Sequence, residues 1–135
     1  EHLHTRGLKT LILSGNPHPQ INQEAELLDL IRYCNGRVQG HVHAENFSKQ
    51  TVLEEWMAED GFTGEHLIMF GDGAAEIKAT RNLGGLSIGV CSDEVVNGSG
   101  VVDQSKRDIL LPAGADAIIA DYRAPELLTQ TVLGQ

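Results

Sequence analysis

The chain has 135 residues, about one domain's worth, because single domains run roughly 100–200 residues. Its composition, 41% hydrophobic and 21% charged, excludes a disordered or collagen-like chain. A net charge of -9 excludes both an electrostatic nucleic-acid binder, which needs a positive footprint, and docking on anionic lipid.

In chain order, Leu8 to Leu13 reads as an apolar strand, ended by Ser14-Gly15-Asn16-Pro17. From Gln20 to Cys34, the residues Ile21, Ala25, Leu28 and Ile31 fall near helical spacing, and Asn35-Gly36 closes that segment. Ser48 opens a second helix reaching about Glu59, with Val52, Leu53, Trp56 and Met57 on one face. Leu67-Ile68-Met69-Phe70 is apolar throughout, which predicts a strand buried on both faces. It stops at Gly71-Asp72-Gly73, and a helix over Ala74–Leu83 follows. Leu86–Val90 is the next strand, Lys106–Ala113 a helix, Ala117–Ala120 a strand and Pro125–Leu133 the closing helix.

Strands alternating with helices at this spacing predict a doubly wound, three-layer α/β/α domain with a parallel sheet, spanning residues 1–135. Ligands of such sheets sit at the carboxyl ends of the strands. Ser14-Gly15, Gly71-Asp72-Gly73, Cys91-Ser92-Asp93 and Asp121 are therefore the places to search. No apolar run approaches the ~20 residues that span a bilayer, and no signal-peptide core opens the chain. Cys34 and Cys91 form no disulfide framework, so a cytoplasmic setting is expected.

The Asp72 carboxylate follows directly on a strand, and its flanking glycines allow a ligand close approach to the backbone. Glu76 lies about one helical turn on, so both acids could face one hard cation. Equally, the pair could simply be a helix cap and a first-turn acid on the helix dipole. Ser14-Gly15 could hold a phosphate oxygen or be a plain turn. Lys49 opens a helix, where a cation opposes the macrodipole unless an anion offsets it.

Taken together, a strand followed by Ser14, then Lys49 at a helix start, then a strand followed by Gly71-Asp72-x-x-x-Glu76 resembles the haloacid dehalogenase-like hydrolase superfamily. Gly89-Val90-Cys91-Ser92-Asp93-Glu94, Lys106-Arg107 and Ala113-Gly114-Ala115-Asp116 resemble the tail of such phosphatases. The resemblance runs from about Leu8 to Leu133. It implies Mg²⁺-dependent hydrolysis of a phosphoryl group, on a small phosphorylated metabolite, through an aspartyl-phosphate. Ser14, Gly15 and Lys49 would hold phosphate oxygens. Asp72 and Glu76 would hold the metal, with Asp93 in support behind them.

The family's nucleophile belongs to an Asp-x-Asp-Gly-Thr segment after an apolar strand, and none precedes Ser14. Asp60-Gly61-Phe62-Thr63 is a superficial match: the nucleophile position would be Ala58, inside a helical pattern. The chain is thus expected to be inactive alone. The non-Met start at Glu1 suggests the carboxyl-terminal part of a larger protein. In the family the missing strand lies between Leu8–Leu13 and Leu67–Phe70. An upstream segment, a second copy or direct pairing of those two strands should fill the slot, because unpaired buried backbone is costly. The alternative function is a non-catalytic phosphate- or metal-binding or assembly module. A receiver-like domain would need an early acid pair that Leu8–Ser14 lacks.

Other residues are weaker candidates. His41-Val42-His43 alternates like a strand and could chelate a metal only if Glu45 turned in. His18 could line a cleft or sit on the surface. Trp56 and Cys34 read as packing, and Cys91 lacks a basic partner in the sequence that would activate its thiol.

Overall fold

The computed structural model describes residues 1–43, 45 and 47–134. They form two compact units, Glu1–Lys49 with Thr129–Gln135, and Gln50–Leu128.

The first unit contains α1 (His2–Thr5), β1 (Ile12–Pro17), α2 (His18–Leu27) and β2 (Val38–His41). β1 and β2 pair in parallel, with α2 packed on both. Ala25, Cys34 and Val38 are its buried core, with Ile12, Ile21, Leu30, Ile31 and Tyr33 around them. The long helix expected over Gln20–Cys34 is two pieces. α2 stops at Leu27, Asp29 takes a left-handed φ of 54°, and a single 3-10 turn follows over Ile31–Tyr33.

The first strand begins and ends later than the apolar run suggests, so Ser14 and Gly15 lie within β1 and not in a turn after it. Pairing passes from Leu13↔Gln39 to Pro17↔His41, so β1 advances four residues while β2 advances two. The surplus is a bulge over Ser14–Asn16, a device that strands use to re-aim side chains.

β2 is a strand that the sequence conceals, because Gly40 interrupts its apolar pattern. A Cβ at Gly40 would lie 2.6 Å from the Asn16 carbonyl oxygen and from His18 Cα, so only glycine permits this approach. The Gly40 amide donates to His18 Nδ1 at 3.2 Å, which makes His18 a structural clamp between α2 and β2.

The second unit holds β3 (Ile68–Gly71), α4 (Ala74–Asn82), β4 (Leu86–Val90), α5 (Gln104–Ala113) and β5 (Ala117–Ile119). Its sheet has the order β3-β4-β5, parallel throughout. α4 and α5 pack on one another and against the sheet. Ile77 from α4, Cys91 after β4 and Leu110 from α5 are fully buried together. α3 (Lys49–Asp60) enters this unit at Gln50 and buries Val52, Leu53 and Trp56. It runs through Asp60, and Gly61 ends it with φ 69°, so Asp60-Gly61 is a helix terminus and not a nucleophile strand. α6 (Pro125–Leu133) closes the chain.

The chain is therefore α/β with parallel sheets and flanking helices. One expectation is corrected. Ile68, Met69 and Phe70 are only half-buried, whereas Ser87 to Val90 of β4 are buried. Among the described residues β3 has one strand neighbour, β4, and an edge strand is covered less than a central one. β1 likewise has one, β2.

Candidate functional site

The junction from β3 to α4 is a strand–turn–helix in which Gly71 ends the strand, Asp72 occupies the bend and Gly73 precedes the helix. Asp72 is exposed. Glu76, at the third helical position, is buried and turns back so that Oε1 accepts the Gly73 amide at 2.9 Å. Glycine has no side chain to reciprocate, so this is one half of a capping box. A Cβ at Gly71 would fall 2.4 Å from Glu76 Cγ, and one at Gly73 would fall 2.8 Å from Oε1. The two glycines therefore make room for the Glu76 side chain, which fixes the turn that presents Asp72.

β3 and β4 run in register Gly71↔Gly89, so Asp72 and the residues just beyond Val90 emerge at the same, carboxyl end of adjacent strands. The loop after β4 is closed at its base. The Cys91 amide donates to the Ile119 carbonyl and the Asp103 amide to the Cys91 carbonyl, each at 2.8 Å. Asp103 then caps α5 by accepting the Lys106 amide at 2.9 Å. The Lys106 ammonium donates to Glu94 Oε1 at 2.6 Å and to Ser92 Oγ at 3.3 Å. The Glu94 bond, and then the charges of Glu94, Asp72 and Asp103, hold the Lys106 pKa above its ordinary value despite partial desolvation. Tyr122 packs its ring edge on Phe70 of β3 at 5.9 Å. Desolvation, then the Asp72 charge, raises its phenol.

Asp93 lies on this loop, where its Oδ1 accepts the Val95 and Val96 amides at 2.9 Å. Those bonds lower its pKa. Cys91 is fully buried, and desolvation followed by the Asp103 charge raises its thiol, which makes it a packing residue. Cys34 is raised by burial in the same way.

In the first unit, Ser14 Oγ accepts the Asn16 amide at 3.1 Å inside the bulge. Gly15 is exposed, with nothing within 4 Å of where a Cβ would stand. Lys49 is the first residue of α3. β2 ends at His41, so His43 lies past the strand. The two rings meet edge to face at 5.3 Å, and His41 also packs on Phe47 at 4.9 Å.

Among the described residues no group of three or more His, Cys, Asp or Glu is arranged to hold a metal by itself. That donor chemistry still suits magnesium, which keeps several waters and is held by one or two carboxylates plus substrate phosphate. Asp72 is such a carboxylate: hard, exposed, and approachable between two glycines. Lys106 and Tyr122 are the neighbours of Asp72 that motif order did not single out for a role. Tyr122 lies three residues after β5, whereas Lys106 is in the first turn of α5, where no local pattern marks it.

No family model matches the chain. A curated relative, a phosphoserine phosphatase of Streptococcus thermophilus, is 26% identical over 106 residues, covering 71% of this chain and 49% of that protein. A conserved haloacid dehalogenase-like protein of unknown function from Agrobacterium tumefaciens superposes with a TM-score of 0.75 at 16% identity, over 95% of this chain and 56% of that one. A haloacid dehalogenase-like family hydrolase from Streptococcus pneumoniae gives 0.67 at 18% identity, over 94% and 54%. The chain thus spans about half the length of each of these proteins. It is similar in fold to two haloacid dehalogenase-like proteins and in sequence to part of a phosphoserine phosphatase.

Proposed function

We propose that this chain is the phosphate- and metal-binding part of a phosphomonoester hydrolase. The observation that carries this reading is the β3–α4 junction, where an exposed Asp72 stands between two glycines on a turn locked by Glu76. Asp72, presented by the turn that Glu76 caps, would hold Mg²⁺, which supplies charge neutralisation for the transferring phosphoryl group. By motif order, Ser14, Gly15 and Lys49 take the phosphate oxygens, Ser14 as a hydroxyl donor and Lys49 as a fixed positive charge. Asp93, engaged with its own loop amides, supports the loop beside the metal. The substrate is a small phosphorylated metabolite, and the setting is the cytoplasm. No helix of the described residues is long and apolar enough to cross a membrane.

The sequence contains no Asp-x-Asp-Gly-Thr. The carboxylate nucleophile of this reading is therefore not in this chain; an upstream segment would supply it, and that segment or a second copy would pair with the strand edges. That same absence favours the second reading, a binding module without turnover. Titration of inorganic phosphate in the presence of Mg²⁺, followed calorimetrically, tests the shared core of both. Binding should need the metal and be lost in Asp72→Asn. It should weaken about tenfold or more in Lys49→Met, where a hydrogen bond to a charged group is removed. Metal-independent binding unchanged in Asp72→Asn would overturn it.

A further inference from the structure

Lys106 occupies a position that a lysine should avoid. It is the third residue of α5, where the helix dipole repels a cation, and its side chain is only 19% exposed. Its ammonium reaches Ser92, two residues beyond the carboxyl end of β4, the strand beside the one that Asp72 follows. Two groups hold it there, the Ser92 hydroxyl and the Glu94 carboxylate. Glu94 itself is 75% exposed and belongs to a loop whose next residue, Val95, is almost fully solvated. A surface ion pair of this kind is weak, worth about 0–1 kcal/mol, and its exposed member exchanges readily with solvent. The chain thus keeps a half-buried cation and a hydroxyl at the mouth of the Asp72 turn, and fills them with a carboxylate of its own that costs little to displace.

We propose that Lys106 and Ser92 form a specificity site for a carboxylate on the leaving group of the phosphate ester, and that Glu94 is its placeholder. One carboxylate oxygen takes the Lys106 ammonium and the other the Ser92 hydroxyl, the same ammonium that Glu94 engages through Oε1. A monoanionic carboxylate suits one cation and one hydroxyl. A second phosphate would bring more negative charge into an environment that already contains Asp72, Asp103 and Asp93. No bond is made or broken at Lys106; it orients the ester and selects among esters. The inference rests on the reading of Asp72 as the phosphoryl end of the site.

Calorimetric titration of the full 135-residue chain with Mg²⁺ tests it, using two probes of nearly the same shape, phosphoglycolate and ethyl phosphate. Phosphoglycolate should bind about tenfold more tightly, the factor that about 1.4 kcal/mol of one charged hydrogen bond provides. Lys106→Met should erase that ratio while leaving ethyl phosphate affinity within about twofold. Glu94→Gln, at an exposed position that cannot unfold the core, should move the ratio the other way, raising phosphoglycolate affinity about threefold by removing the competitor. Equal binding of the two probes to the unaltered chain would overturn the proposal while sparing the phosphoryl reading. So would a Lys106→Met variant that weakens both probes equally, which would make Lys106 a phosphate ligand. Failure of ethyl phosphate to bind at all would instead overturn the phosphoryl reading and this inference with it.

Discussion

Replacing Glu76 separates two roles that a carboxylate at this position could have. In Glu76→Ala the Gly73 amide loses its acceptor, a cap worth about 1 kcal/mol. The charge that favours the start of α4 contributes about 0.3–1 kcal/mol more. The one side-chain methylene lost, Cγ, which packs into the space left by Gly71, adds at most about 0.8 kcal/mol, and less if the turn relaxes onto it. The expected loss is therefore about 1.5–2.5 kcal/mol. Glu76→Gln keeps an oxygen that can accept the same amide and keeps the methylenes, so it should cost only about 0.5–1 kcal/mol. Urea unfolding at neutral pH measures both, with an unchanged m-value as the sign that only native stability moved. Phosphate titration with Mg²⁺ on the same proteins adds the functional half: Glu76→Gln should retain binding within about threefold, because Asp72 remains presented. Two variants equally destabilised, or a Glu76→Gln protein as stable as the parent but unable to bind Mg²⁺, would refute a positioning role.

Four further outcomes follow from particular contacts and burial. Gly64→Ala should destabilise by about 3 kcal/mol, because its Cβ would stand 1.7 Å from the Leu83 carbonyl oxygen; a thermal melt should fall by roughly 6–12 °C. Asp103→Ala should cost about 1 kcal/mol by uncapping α5 at the Lys106 amide, measured by urea unfolding. Both thiols should react with a disulfide reagent at pH 8 far more slowly than a free cysteine, since burial raises Cys34 and Cys91 and so depletes the thiolate, and urea should restore the full rate. Asp93 supplies the pH dependence. Its folded pKa is lowered by the Val96 and Val95 amides, so its ordering of the loop is present above the ordinary carboxylate pKa and is lost as pH falls through the lower folded value. Hydrogen exchange at the Val95 and Val96 amides should accelerate over that acidic window, beyond the intrinsic rate, and Asp93→Asn should remove the change.

Most of the architecture was legible in the sequence because buried parallel strands announce themselves as short apolar runs. Leu86–Val90 is a strand with the boundaries that its pattern gives, and Pro125–Leu133 a helix with those of its own. β2 was hidden because its defining residue is Gly40, chosen for the closeness of backbone to backbone, a tertiary fact with no local signature. The first strand was displaced toward its polar end because the ladder continues through a bulge where the apolar run has already stopped. At the site, Gly71-Asp72-Gly73 could be read directly, and so could the two roles open to Glu76. Choosing the cap needed the 2.9 Å bond to Gly73. Lys106 could not be chosen from sequence, since nothing near it in the chain distinguishes it from Arg107. Its meaning comes from Ser92 and Glu94, more than ten positions upstream.

The central claim is that Asp72 serves a phosphoryl site whose nucleophile lies outside these 135 residues. Incubation of the chain with Mg²⁺ and p-nitrophenyl phosphate, alongside calorimetric titration with inorganic phosphate, tests it most directly. The account predicts metal-dependent phosphate binding that disappears in Asp72→Asn, together with no release of nitrophenol above background. Robust hydrolysis by the chain alone, lost in Asp72→Asn, would contradict it by making a residue of this chain the nucleophile.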